Sequence, residues 1–133
     1  MAIKITFPGG KKVAAEIGNF TIMTDQKIKD GGEETAPAPF EYFLASIGTC
    51  AGIYIKGYCE SRSIPTDGIE IEQKLVYDTV NKKIGRITLE IQVPPEFPEK
   101  HRGAIINAAN LCAVKKTIFD PPEFDIKTVE KSL

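Results

Sequence analysis

Apolar and polar positions alternate from the start of the chain. Ile3, Ile5 and Phe7 fall on one side of "AIKITF" and Lys4 and Thr6 on the other, a period of two that predicts a half-buried strand ending at Pro8-Gly9-Gly10. "KKVAAEIG" and "NFTIMTD" follow as two more strands, separated by a Gly18-Asn19 turn signal, so a meander is expected. From Gln26 to Pro39 the segment "QKIKDGGEETAPAP" is rich in Gly, Pro and charge and has no apolar period, which predicts an exposed and mobile connection.

The period then changes. Pro39 suits a first helical turn, Glu41 favours the positive end of a helix dipole, and Phe40, Leu44, Ile47, Ala51, Ile55 and Tyr58 recur every three to four residues, predicting a helix to about Arg62. A second apolar line, Phe43, Ile47, Cys50 and Tyr54, lies beside the first, so this helix needs cover on more than one side, with Cys50 on the flank of the core stripe. Gly48 and Gly52 leave room for another backbone to approach. Alternation returns in "GIEIEQKLVYDTV" and "IGRITLEIQV", read as a hairpin of two long strands with its turn at Asn81-Lys82-Lys83. "EKHRGAIINAANLCAVKKTIF" is helical in pattern with a break near Cys112, and "EFDIKTVEK" is expected to close the chain as a strand. Strand runs separated by helices, without alternating βαβ units, make this an α+β protein, read as a single domain over residues 1–133.

Composition changes this picture mainly by exclusion. A formal net charge of −1 and basic residues grouped only as the pairs Lys11-Lys12, Lys82-Lys83 and Lys115-Lys116 give no field for nucleic acid or an anionic membrane, so neither partner is expected. The apolar run from Phe40 to Tyr58 is interrupted by Glu41 and Lys56 and is too short for a span. Three cysteines are too few for a secreted disulfide framework, and "MAIKITF" is not patterned as a signal peptide, so a cytoplasmic location is expected. "FPGGKK" has neither phosphate-loop spacing and reads as a turn. The single histidine, His101, is read as a solvated surface residue, and with no CxxC pair no metal and no cofactor is expected.

What remains is sulfur. A free cysteine packs as a small hydrophobe, and on that reading Cys50, Cys59 and Cys112 are all core residues; on the other, one or more of them is a reagent. Spacing alone leaves both open. The aromatic residues Phe40, Phe43 and Tyr54 likewise serve either as core filling or as the lining of an apolar pocket.

Two stretches carry a resemblance. "APAPFEYFLASIGTCAGIYIKGYCESRSI" is similar to the Pro-x-Glu-Leu-x-x-Ala-x-x-Ala/Gly-x-Cys helix of the OsmC/Ohr family of thiol-dependent hydroperoxide-removing proteins, and "INAANLCAVKKTI" is similar to that family's second cysteine motif. The resemblance implies curved antiparallel sheets wrapped around long central helices in an intertwined homodimer. It implies that Cys50 is the peroxidatic cysteine, that Cys112 resolves its sulfenic acid to a disulfide, and that an external dithiol reductant reduces the bond. The substrate implied is a small organic hydroperoxide, with Phe40, Phe43 and Tyr54 as its apolar surroundings. The sequence departs from the family pattern in three places. No arginine precedes Arg62, so Lys11 or Lys12 would take its place beside the thiolate; the helix acid stands at Glu41 with Phe40 after Pro39; and Ala113 occupies a position where proline is frequent. These departures keep open a small-molecule-binding or redox-sensing dimer with little peroxidase activity. Cys59 matches nothing in the pattern and is read as packing.

Overall fold

The computed structural model describes residues 1–132. The chain divides into two compact units, Met1–Ser46 and Ile47–Leu133.

The first unit is an antiparallel meander of β1 (Lys4–Gly9), β2 (Lys12–Ile17) and β3 (Phe20–Thr24), in that order across the sheet. Ile17 pairs with Phe20, so Gly18 and Asn19 form a two-residue loop, and Gly18 adopts φ +57°, which matches the turn to the strand twist at no side-chain cost. The predicted faces of β1 are not buried as expected: Ile3, Ile5 and Phe7 stand exposed and Thr6 is the half-covered residue. The alternation correctly marks one apolar face, but alternation does not supply the surface that covers it.

The connection expected to be featureless is organised around Asp25, which is fully buried. Its carboxylate accepts the Gln26 amide at 2.7 Å and the Thr35 amide and hydroxyl at 3.1 and 2.6 Å, while its own amide bonds the Pro37 carbonyl at 3.2 Å. A short 3-10 turn, Ile28–Asp30, fills the loop between them. A buried carboxylate satisfied by several donors is the means by which a Gly- and Pro-rich segment takes one conformation.

The second unit holds most of the core. Helix α1 (Pro39–Glu60) starts in the first unit and continues here, burying Ile47, Ala51, Ile55 and Cys59 at four-residue intervals. Strands β4 (Glu70–Asp78) and β5 (Lys83–Gln92) form the expected hairpin, and Asp78 fixes its turn by accepting the amides of Val80 and Asn81 at 3.0 and 3.1 Å. Ile55, Cys59, Phe97 and Ile105 form the buried cluster, flanked by Ile69, Ile71, Ile91 and Val93 from the hairpin. Each fully buried aliphatic of this size contributes about 1.5–3 kcal/mol of transfer free energy. Gly48 and Gly52 do admit a close neighbour, but it is β4: a Cβ on Gly48 would sit 2.7 Å from Gln73 Oε1, and one on Gly52 3.6 Å from Ile71 Cδ1.

Helices α2 (Arg102–Ala109) and α3 (Ala113–Phe119) follow, with the predicted break between them. The closing strand is not formed. Residues 121–132 carry no regular structure, and Phe124, Ile126 and Val129 are exposed, because a strand needs a partner's backbone groups and this segment has none beside it. His101 also departs from expectation: it is half-buried, with Nδ1 2.7 Å from the Tyr58 hydroxyl, and Arg62 stacks 3.7 Å above the Tyr58 ring. Among the described residues no helix is long and apolar enough to cross a membrane.

The hydrogen bonds from Thr35 and from the Gln26 amide hold the Asp25 carboxyl far below the usual carboxylate range. A group depressed in the native state stabilises it fully above the ordinary value of about 3.9 and ceases to do so as pH falls through the native value. Asp25→Asn is therefore expected to lower stability at neutral pH and to flatten the loss of stability on acidification. Urea unfolding of both proteins at neutral pH and at about pH 3 checks this.

Candidate active site

Two cysteines predicted to act together do meet. Cys50 lies at mid-length on α1, one position before the buried Ala51, and so reaches the edge of the core stripe with its thiol partly exposed. Cys112 is 1 % exposed and occupies the corner between α2 and α3. Three bonds turn the chain there: the amides of Asn110, Leu111 and Cys112 donate to the carbonyls of Ile106, Ala108 and Ala109 at 3.1, 3.0 and 3.3 Å. Cys112 itself leaves the helical region, with φ −50° and ψ 126°, and becomes the N-cap of α3. Its Sγ accepts the Lys115 amide at 3.4 Å, the place usually taken by a serine or aspartate oxygen.

The same corner turns the first amides of α3 toward Cys50. The Val114 amide, the Cys112 thiol and the Ala113 amide lower the Cys50 pKa against the opposing effect of burial. Cys112 moves the other way: burial pushes its thiol up, and its hydrogen bond to Cys50 and the charge there raise it further, with the Lys115 and Val114 amides pulling back. The pair is thus electrostatically unequal. Cys50 is the group that ionises first, and Cys112 is the thiol that donates to it. Neither is in a disulfide.

Cys59 is fully buried with its pKa raised by burial, only partly offset by the Arg62 charge. It behaves as the packing thiol its sequence context suggests. Among the described residues no group of three or more His, Cys, Asp or Glu is arranged to hold a metal ion.

The other predicted site residues lie mostly in the first unit. Lys12 pairs with Glu33 at 2.8 Å, which raises the Lys12 pKa. Lys11 ends the β1–β2 turn and is exposed. Glu41 accepts the Ala38 amide at 3.0 Å, closing the start of α1 as a first-turn acid does. Phe40 and Phe43 are exposed, their rings 5.5 Å apart and tilted by 35°. Tyr54, in the second unit, is 38 % exposed.

Sequence reasoning named both cysteines that meet here and missed the groups that lower the Cys50 pKa. The donors are backbone amides, which no residue type announces. One signal was present: a cysteine at a predicted helix break is placed to cap the helix that follows, and the first amides of that helix need acceptors. Ala113 sharpens the point. It stands where proline is equally compatible with the first helical turn, yet proline would bring no N–H.

A family model described as "OsmC-like protein" matches residues 31–127. Among solved structures, the chain is similar to a Psychrobacter arcticus 273-4 protein described by an osmotic-stress-induced and detoxification response, with 22% identity, TM-score 0.73, and 88% of this chain and 87% of that one covered. An organic hydroperoxide resistance protein OsmC from Legionella pneumophila gives 18% identity and TM-score 0.54, with 89% of each chain covered. OhrB of Bacillus subtilis, an organic hydroperoxide resistance protein, gives 20% identity and TM-score 0.53 over 88% of this chain and 90% of that one. A comparison with curated proteins finds no match.

The amide donors make a direct expectation. Ala113→Pro keeps a residue suited to the first turn of α3 but removes one donor, so the Cys50 pKa should rise, while Lys11→Gln/Lys12→Gln should leave it in place because Lys12 is already taken by Glu33. Alkylation rate against pH, resolved by peptide mass mapping, reads both. Cys50 should titrate below the free-thiol value of about 8.5 and Cys112 above it.

Proposed function

Because the chain belongs to the OsmC-like family, we propose that it reduces organic hydroperoxides, with Cys50 as the peroxidatic and Cys112 as the resolving cysteine. The observation that carries this reading is the corner at Cys112, where an enclosed thiol caps α3 beside the partly exposed Cys50, with the Cys50 pKa lowered and the Cys112 pKa raised.

The chemistry follows from that inequality. The Cys50 thiolate attacks the terminal oxygen of the hydroperoxide, the O–O bond breaks, and the alkoxide leaves and takes a proton to become the alcohol, with Cys50 now a sulfenic acid. Cys112 gives up its proton and attacks the Cys50 sulfur; the S–O bond breaks, water departs, and a Cys50–Cys112 disulfide remains. An external dithiol then exchanges with this bond, returning both thiols and leaving oxidised itself. The protonated state of Cys112 suits the second step, since the departing hydroxyl needs a proton. Three reduced thiols and a dithiol donor fit a reducing compartment such as the cytoplasm.

The working form we propose is a homodimer. Ile5 and Phe7 on β1, Phe40, Phe43 and Ile53 on α1 and Leu75 and Tyr77 on β4 are large apolar residues left exposed by the single chain. Apolar faces of this extent mark an association surface, and a second copy of the chain is the partner that the multi-sided apolar helix calls for.

Cys50→Ser should abolish peroxide consumption driven by a dithiol. Cys112→Ser should permit one oxidation and then accumulate sulfenic or over-oxidised Cys50, and Cys59→Ser should change the rate little. Consumption of alkyl hydroperoxide against hydrogen peroxide, followed by peptide mapping, tests the assignment. A Cys50 still free after one equivalent of alkyl hydroperoxide, or a dominant bridge through Cys59, defeats it; bridge formation without turnover favours redox sensing. In sedimentation, a folded 14.6 kDa species at low micromolar concentration would defeat the dimer, whose unfolding should instead depend on concentration.

A further inference from the structure

Helix α3 is an unusual element to find intact. It has seven residues, none of them buried, and it is followed by a segment without regular structure. Isolated helices of this length do not persist in water, so something local must hold it. At its C-terminal end the Asp120 amide bonds the Lys116 carbonyl at 2.9 Å, an ordinary closing bond. At its N-terminal end the acceptors are the sulfurs of the redox pair. Cys112 Sγ takes the Lys115 amide at 3.4 Å, Cys112 supplies the N-cap backbone, and its carbonyl takes the Lys116 amide at 3.0 Å. Asn110 Oδ1 receives the Lys115 ammonium across the same corner. The Val114 and Ala113 amides also lower the pKa of the neighbouring Cys50.

We propose that formation of the Cys50–Cys112 bond uncaps α3, so that residues 113–120 are released in the oxidised protein and refold when the bond is reduced. This rests on the proposed pairing of Cys50 with Cys112 and adds a structural consequence to it. Two unbonded sulfurs must close to about 2.05 Å to be bonded, a movement that the Lys115 amide bond to Cys112 Sγ does not survive unchanged. The thiolate charge disappears in the same step, and charged acceptors hold amides about twice as strongly as neutral ones. The movement acts on the Lys115 amide bonded to Cys112 Sγ, and the loss of charge acts on the Val114 and Ala113 amides that influence Cys50. The release also bears on the return step. Cys112 is 1 % exposed in the reduced protein, and a dithiol has to reach one sulfur of the bond; an unwound α3 uncovers it.

Hydrogen exchange of the whole protein, compared in the reduced state and after closure of the Cys50–Cys112 bond, tests the proposal. Loss of capping on up to three amides should speed exchange at residues 116–120 by roughly tenfold or more, with the amides of α2 and of β4–β5 unchanged. Equal protection in both states, with the bond verified by peptide mapping, overturns it. In Cys112→Ser the hydroxyl is a better cap and no bond can form, so the same oxidant should leave α3 protected; a loss equal to that of the unaltered protein overturns the proposal. Diamide, which takes two hydrogens from a dithiol, closes the bond without a peroxide. If diamide closes it and alkyl hydroperoxide does not, the peroxidase reading fails and the helix is judged on the diamide-oxidised protein. If neither closes it, both fall.

Discussion

Four amides at the start of any helix lack acceptors within it, and the corner at Cys112 meets that requirement with sulfur. The dependence runs in both directions. The first turn of α3 needs acceptors, and the Cys50 thiolate needs donors, so the same contacts define a helix boundary and set an ionisation. On the proposed reading, amides at the start of α3 do part of the work of the arginine that the N-terminal hairpin lacks. Ala113 is part of the same adjustment, since a residue with an N–H stands where proline would offer none.

The three cysteines show which effect wins in which setting. Burial raises all three. At Cys59 nothing but one nearby guanidinium opposes it, and burial dominates. At Cys50 two amides and a thiol point at the sulfur, and hydrogen bonding dominates, so the shift changes sign. At Cys112 two amides pull down, but burial, with the neighbouring Cys50 adding to it, keeps the pKa raised. Identical side chains on one small unit thus differ in the direction of their pKa shifts through their donors more than through their depth.

Much of this arrangement was legible beforehand. The period of two found β1 to β5, the period of 3.6 found α1 to within a turn of its end, and the break at Cys112 marked the α2–α3 corner. What failed has a common physical cause. Ile3, Ile5, Phe7, Phe124 and Ile126 alternate as strand residues should, but periodicity reports which face is apolar and not what covers it. Asp25 was invisible for a related reason: an aspartate among glycines and prolines looks solvated until the Thr35 hydroxyl and amide are seen to converge on it. His101 was misjudged because its partner Tyr58 is far away in sequence. Backbone donors were the hardest, since Ala113 and Val114 act through atoms every residue has.

Accessibility completes the division of labour at the pair. Cys50 is the partly exposed sulfur and Cys112 the enclosed one, so in the proposed reaction an incoming oxidant meets the thiol of lowered pKa first. If the two exposures were exchanged, the protonated thiol would face the oxidant and react slowly, because the thiolate is the nucleophile. If both were equally exposed, the second would be open to oxidation before it could resolve the first. Placing the protonated thiol behind the ionised one, and tying it to the start of a short helix, keeps it in reserve for an intramolecular step. Its proximity replaces an encounter with a second molecule, the advantage that orientation gives any two groups held in contact.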